Sequence, residues 1–134
     1  MNPELKKLQS GLNAEVEITI SETETAVHLG SGSLAVYATP AMVALIENAA
    51  VRALEGYLLE GQTTVGSHMD VRHLAATPVG MKVRAHAELI EVDGRKLTFQ
   101  IQAWDEAEKI GEANHVRYVV DAERFMAKAD AKGK

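Results

Sequence analysis

The chain has 134 residues, 46% of them hydrophobic and 25% charged, which suits one soluble domain around one core. A net charge of -5 without any basic cluster argues against nucleic acid as a partner, and the lack of cysteine excludes disulfides, thiolate metal ligands and thiol catalysis. No apolar run approaches the ~20 residues that span a bilayer, and the opening MNPELKKLQSGLNAE never turns hydrophobic as a leader would, so the cytoplasm is the default expectation.

Residues 1–13 read as a loosely ordered lead-in. Ala14–Ile20 then alternates Val16, Ile18 and Ile20 against Glu15, Glu17 and Thr19, the pattern of a half-buried strand. Ser21–Thr25 is a polar turn, and Ala26–Leu29 is expected to form a short second strand. Gly30-Ser31-Gly32-Ser33 belongs to no regular element. It is either an ordinary connector or the hinge of a small flap beside the helix that follows.

That helix, Thr39–Leu58, organises the chain. Thr39 can cap its N-terminus, Pro40 suits the first turn, and Gly56 and Gly61 close it. On a helical wheel Val43, Ala50, Val51, Leu54 and Leu58 lie within about 60° of Glu47, which puts an acid in the apolar stripe. A buried carboxylate must find a partner, take up a proton or border a cavity.

Four strands are expected after the helix. Thr63–Ala75 ends at Thr77-Pro78-Val79-Gly80, and Met81–Val92 carries Val83, Ala85, Ala87 and Leu89 on one face. Asp93-Gly94 marks a hairpin, and Lys96–Trp104 aligns Leu97, Phe99, Ile101 and Ala103. Lys109–Val120 alternates less cleanly, and its inward face stays open. Asp121 caps a short segment, AERFMAK, and residues 129–134 read as a frayed tail. The order is α+β: a strand or two, one long helix, then a four-strand antiparallel meander curved around the helix. Exposed sheet edges favour a dimer.

Parity separates the histidines. Along Thr63–Ala75, Val65, Met69, Val71 and His73 share one face, and Thr64, His68, Asp70 and Arg72 the other. His73 should therefore face the helix and His68 the solvent, provided no bulge intervenes. Glu47 and His73 then form an acid and a base facing one core. Thr39 adds a hydroxyl at the helix mouth, and Gly66 permits close backbone approach to a carbonyl oxygen. Each has a plainer reading: a satisfied core histidine, a dimer-contact acid, a cap and a strand bulge. Their convergence on one end of one helix favours a site. There is no HxH, HExxH or clustered Asp/His to hold a metal, and GSGS lacks the lysine of a phosphate loop.

Ala38-Thr39, Met42-Val43, Glu47, Val51-Arg52-Ala53, Gly66, His73, Ala75-Ala76-Thr77-Pro78, Glu91–Arg95, Gly111–Arg117 and Arg124-Phe125 carry a resemblance. The chain is similar, over about residues 14–128, to the fluoroacetyl-CoA thioesterase group of hotdog-fold proteins. The resemblance implies a single hotdog domain, a long helix wrapped by a curved antiparallel sheet, paired as a homodimer that could pair again into a tetramer. It implies an acyl-CoA thioesterase with Thr39, Glu47 and His73 as catalytic residues and the Gly66 N–H on the thioester oxygen. Arg117 would help hold the CoA or the lid. No cofactor is implied beyond the CoA of the substrate itself. Glu47 would attack the thioester to form an acyl-enzyme anhydride that His73 helps to hydrolyse, or would activate water directly.

The segment before Thr39 departs from the group. Fluoroacetate-specific members have a longer lid with aromatic side chains; here it is GSGSLAVY, with Tyr37 its single aromatic. A broader, short or small acyl group is therefore expected, with Tyr37 lining its site. Two other functions compete: a non-catalytic hotdog module that binds an acyl-CoA or other small ligand, and a lyase that hydrates an enoyl thioester.

Overall fold

A computed structural model describes residues 7–133. Its elements are β1 (Asn13–Thr19), α1 (Ala26–Leu29), α2 (Thr39–Ala53), β2 (Gln62–His73), β3 (Lys82–Asp93), β4 (Lys96–Trp104), β5 (Lys109–Asp121) and α3 (Ala122–Lys132). The five strands form one antiparallel sheet in the order β1-β3-β4-β5-β2. The expected meander is therefore correct only from β3 to β5. β2 does not pair with β3; the chain crosses over after His73, and β2 pairs with β5 at the far edge.

The core lies between α2 and the sheet. Val83, Ala85, Ala87 and Leu89 of β3 and Leu97, Phe99, Ile101 and Ala103 of β4 are fully buried, as their alternation predicts. They meet Met42, Leu45, Ile46, Ala49, Ala50 and Ala53 of α2. The alanines on both surfaces let the helix axis approach the sheet closely. At Gly111 of β5 the approach is close enough that a Cβ there would stand 2.7 Å from Met42 Sδ.

Several local expectations change. Ala26–Leu29 is one turn of helix, not a strand, because the Thr25 hydroxyl accepts from the His28 N–H and Gly30 closes the turn at φ 73°. α2 ends at Ala53 rather than Leu58; Gly56, at φ 84°, takes the left-handed conformation that turns the chain out of the helix. The lead-in is ordered where described, with the Gly11 N–H bonded to the Leu89 carbonyl at 2.8 Å and Leu8 packed on the core. Residues 1–6 and Lys134 lie outside the described residues. The C-terminal segment is helical through Lys132, where fraying was expected, and Asp121 caps it by accepting from the Arg124 N–H.

Candidate active site

Two clusters sit along α2. The first is at its N-terminus. Thr39 does not cap the helix, because Ala38 occupies the cap position and Thr39 lies in the first turn. Its hydroxyl is instead 2.7 Å from His73 Nδ1, across from the last residue of β2. His73 Nε2 is buried and has no hydrogen-bond partner among the described residues. Tyr37 stands behind the imidazole, ring edge to ring face with centroids 6.4 Å apart. It is only 1% exposed and its hydroxyl is also unpaired, so it backs His73 rather than forming an outer lid. Burial, with the Glu24 charge adding to it, keeps the Tyr37 hydroxyl protonated far above its ordinary range. Burial likewise pulls the His73 imidazole below the usual 6.5, and the Ala75 backbone opposes this.

The second cluster lies eight residues further along, ~12 Å at 1.5 Å per residue. Glu47 Oε2 accepts from Arg117 Nη1 at 3.2 Å and lies 3.9 Å from His115 Nε2. The Gly66 backbone faces the same carboxylate so closely that a Cβ would fall 2.7 Å from Glu47 Oε2. Arg117 is buried but fully engaged: Nε donates to the Thr64 hydroxyl at 2.9 Å, and Nη2 donates to the Thr64 carbonyl at 3.1 Å. Its Nη1 also lies 3.1 Å from His115 Nε2. His115 Nδ1 is 2.7 Å from the His68 carbonyl. A carbonyl can only accept, so Nδ1 carries the proton and Nε2 accepts from Arg117. Burial and the adjacent guanidinium hold His115 neutral, its pKa lowered from the ordinary value.

The single chain thus does not bring all the expected residues together. Thr39 meets His73, and Glu47 meets Gly66 and Arg117, but among the described residues Glu47 makes no ion pair with His73. Nor is Glu47 in the core stripe. The side of α2 that packs on the sheet carries Met42, Ile46, Ala49 and Ala53, whereas the Glu47 side chain is 42% exposed and its neighbour Val51 40% exposed. Val43, Glu47 and Val51 form a strip at four-residue spacing that the chain's own sheet leaves partly open.

The bulge that parity reasoning could not see lies between Gly66 and His68. It sits upstream of His73, so Met69, Val71 and His73 keep the inward face. Before it the parity reverses: Thr64 is buried, not Val65, and becomes the support of Arg117. His68 remains exposed, as expected, while its carbonyl turns to His115. His115 is the functional-site residue that the sequence reading did not single out. Its signal was the odd-numbered row Ala113, His115, Arg117, Val119 on β5, which the buried positions now identify as the inner face.

A carboxylate beside the Gly66 backbone and a guanidinium, with an unpaired imidazole nitrogen at the end of β2 facing the first turn of the same helix, can perform acyl transfer by nucleophilic or general-base catalysis.

Compared with known proteins, residues 20–123 match the family described as fluoroacetyl-CoA-specific thioesterase, FlK. The fluoroacetyl-CoA thioesterase of Streptantibioticus cattleyicolor is 43% identical over 97 residues, 72% of this chain and 70% of that protein. The crystal structure of a single-site mutant of FlK superposes with a TM-score of 0.89 at 34% identity, covering 95% of this chain and 98% of that one. An FlK mutant in complex with fluoroacetate and CoA has a TM-score of 0.83 at 35% identity, covering 88% and 99%. A thioesterase superfamily member from Thermus thermophilus has a TM-score of 0.85 at 26% identity, covering 99% and 96%.

Proposed function

Since this chain belongs to the fluoroacetyl-CoA-specific thioesterase family of hotdog proteins, we propose that it hydrolyses the thioester of a small acyl-CoA, giving the free acid and CoA. The observation that carries the reading is the Glu47 carboxylate held by Arg117 directly against the Gly66 backbone. A thioester carbonyl seated there would have the Gly66 N–H on its oxygen and the carboxylate at its carbon. Glu47 attacks, the carbon–sulfur bond breaks, and the CoA thiolate leaves and takes up a proton. Water then adds to the resulting anhydride, giving its proton to His73 and releasing the acid and the Glu47 carboxylate. Water activated directly by Glu47 is the alternative course at the same site. Thr39 holds His73 at Nδ1 and can donate or accept, so the imidazole can change tautomer without losing its orientation.

The reading includes a homodimer in the cytoplasm. Among the described residues β2 is a 12-residue edge strand without a second neighbour in the sheet, and the partly open Val43–Glu47–Val51 strip lies on the adjacent helix. A second copy along that edge would cover both, and would supply the acid or the base that each chain holds apart. The short segment before Tyr37, with no exposed aromatic, supports an acyl group less narrowly defined than fluoroacetyl.

Free-thiol release from a panel of acyl-CoAs tests the function. Wild type should turn over a small acyl-CoA, and Glu47→Gln and His73→Ala should each fall by at least about 10²-fold while remaining folded. Full activity in Glu47→Gln would refute the mechanism. Saturable binding with no thiol released from any thioester would favour the binding module.

A further inference from the structure

We propose that a groove outside the acyl site, between the β3–β4 turn, the end of β5 and α3, takes the phosphorylated adenosine end of the CoA thioester; this rests on the hydrolase reading above. The groove is shallow and open to solvent, with a volume of about 460 Å³, and is lined in part by Arg95, Tyr118, Arg124, Phe125 and Lys128. Three cations in one groove run against the balance of a chain whose net charge is -5. None of the three is in a salt bridge among the described residues. Arg95 is nonetheless fixed, because Nη1 donates to the Val119 carbonyl at 3.1 Å, a neutral partner that leaves the guanidinium charge uncompensated. Arg124 and Lys128 stand four residues apart on α3, one above the other on the same face. Asp121 is the acid at this groove, and its Oδ1 caps the first turn of α3.

The aromatic rings complete the chemistry. Tyr118 is 39% and Phe125 43% exposed, although both are large enough to be buried at a gain. Flat rings beside unpaired cations suit a purine that stacks and phosphates that pair. The groove lies at the end of the strand that holds the acyl site. Tyr118 points from the outer face opposite Arg117, so a ligand reaching both passes round the Gln62–Asp121 end of the sheet. Arg117, which holds Glu47, and Asp121, which opens α3, are four residues apart on β5, ~13 Å at the rise of a strand. The flexible pantetheine arm joins the thioester to the nucleotide over a separation of this kind. A peptide or lipid ligand would have no such tether to the acyl site.

The experiment compares hydrolysis of one acyl group carried on CoA with the same acyl group on pantetheine, in wild type and in Arg124→Gln/Lys128→Gln. Both side chains are exposed and make no hydrogen bond among the described residues, so the variant should fold, which circular dichroism checks. Wild type is expected to prefer the CoA thioester in kcat/KM by about tenfold at low salt, through KM, and the variant to lose most of that preference. A preference that survives in the variant would overturn the subsite. Adenosine 3′,5′-bisphosphate, titrated by calorimetry, reads the groove without turnover and should bind wild type but not the variant. Equal binding by both would also overturn it. Bisphosphate binding lost in the variant with no thioester hydrolysed by either protein would sink the hydrolase and leave the subsite standing.

Discussion

Gly66 separates catalysis from stability more cleanly than any other position. A Cβ there would press on Glu47 Oε2 at 2.7 Å and on His115 Cε1 at 3.1 Å. The carboxylate is the free end of a half-exposed side chain and can swing away, loosening its ion pair with Arg117, whose Nη1 would itself lie 3.3 Å from the Cβ. Gly66→Ala should therefore lower kcat by at least about tenfold while leaving the thermal midpoint within a few degrees, because a carboxylate displaced by 1 Å loses its near-attack position. Unchanged kcat would mean that Glu47 does not work against the Gly66 backbone. His115 behaves differently, being enclosed. His115→Phe would remove the acceptor for Arg117 Nη1 and the donor to the His68 carbonyl, leaving the buried guanidinium and a part-buried carbonyl each short of a partner at a cost of about 1–3 kcal/mol. The same residue links stability to pH. His73 and His115 both titrate below the ordinary 6.5, so in that window the unfolded chain binds more protons than the folded one. Stability is then complete above about pH 6.5 and declines as pH falls through that value. Thermal melts between about pH 7.5 and 5 should show this decline, and His115→Phe should make it shallower.

The elements differ in how much of them a reader of the sequence can recover, and the reason is which residues face inward. β3 and β4 were legible because every inward position is apolar, and the Asp93-Gly94 turn fixes their hairpin, with Gly94 at φ 60°. β5 was not, because His115 and Arg117 occupy inward positions: the polar groups that build the site are the ones that spoil the alternation. β2 was legible after its bulge and reversed before it, since one extra residue changes the face of everything on one side. Wheel angles put Glu47 in the core stripe because they measure proximity to neighbouring apolar residues, not which of two apolar strips the sheet covers. The pairing of β2 with β5 left no local signal, since it depends on a crossover. One contact between elements can be tested directly. Gly111 of β5 lies under the thioether of Met42 of α2, which is fully buried and would have to repack among its core neighbours. Gly111→Ala should cost about 1–3 kcal/mol by overpacking, measured in urea, with kcat little changed in the folded fraction. A neutral result would mean that the Met42 thioether finds a second position in the core.

At the scale of the whole molecule, the proposed homodimer gives the separation of the Thr39–His73 pair from the Glu47 cluster a testable meaning. α2 sets the backbone positions of Thr39 and Glu47 ~12 Å apart along one axis, and among the described residues no hydrogen bond or ion pair joins Glu47 to the Thr39–His73 pair. A two-fold axis beside the β2 edge would bring the start of one helix towards the middle of the other, completing two identical sites from shared parts. This arrangement makes an unusual prediction. Glu47→Gln and His73→Ala, each inactive alone, should recover activity when mixed, dissociated and reassembled. In a mixed dimer one site collects both substitutions and the other collects neither. With random pairing half the dimers are mixed and half their sites are intact, so recovery should approach about a quarter of wild-type turnover. Sites built within single chains would each keep one substitution and stay inactive after mixing. The turnover of the mixture, measured against each variant alone and with dimer assembly verified by sedimentation, therefore decides whether catalysis belongs to the chain or to the pair.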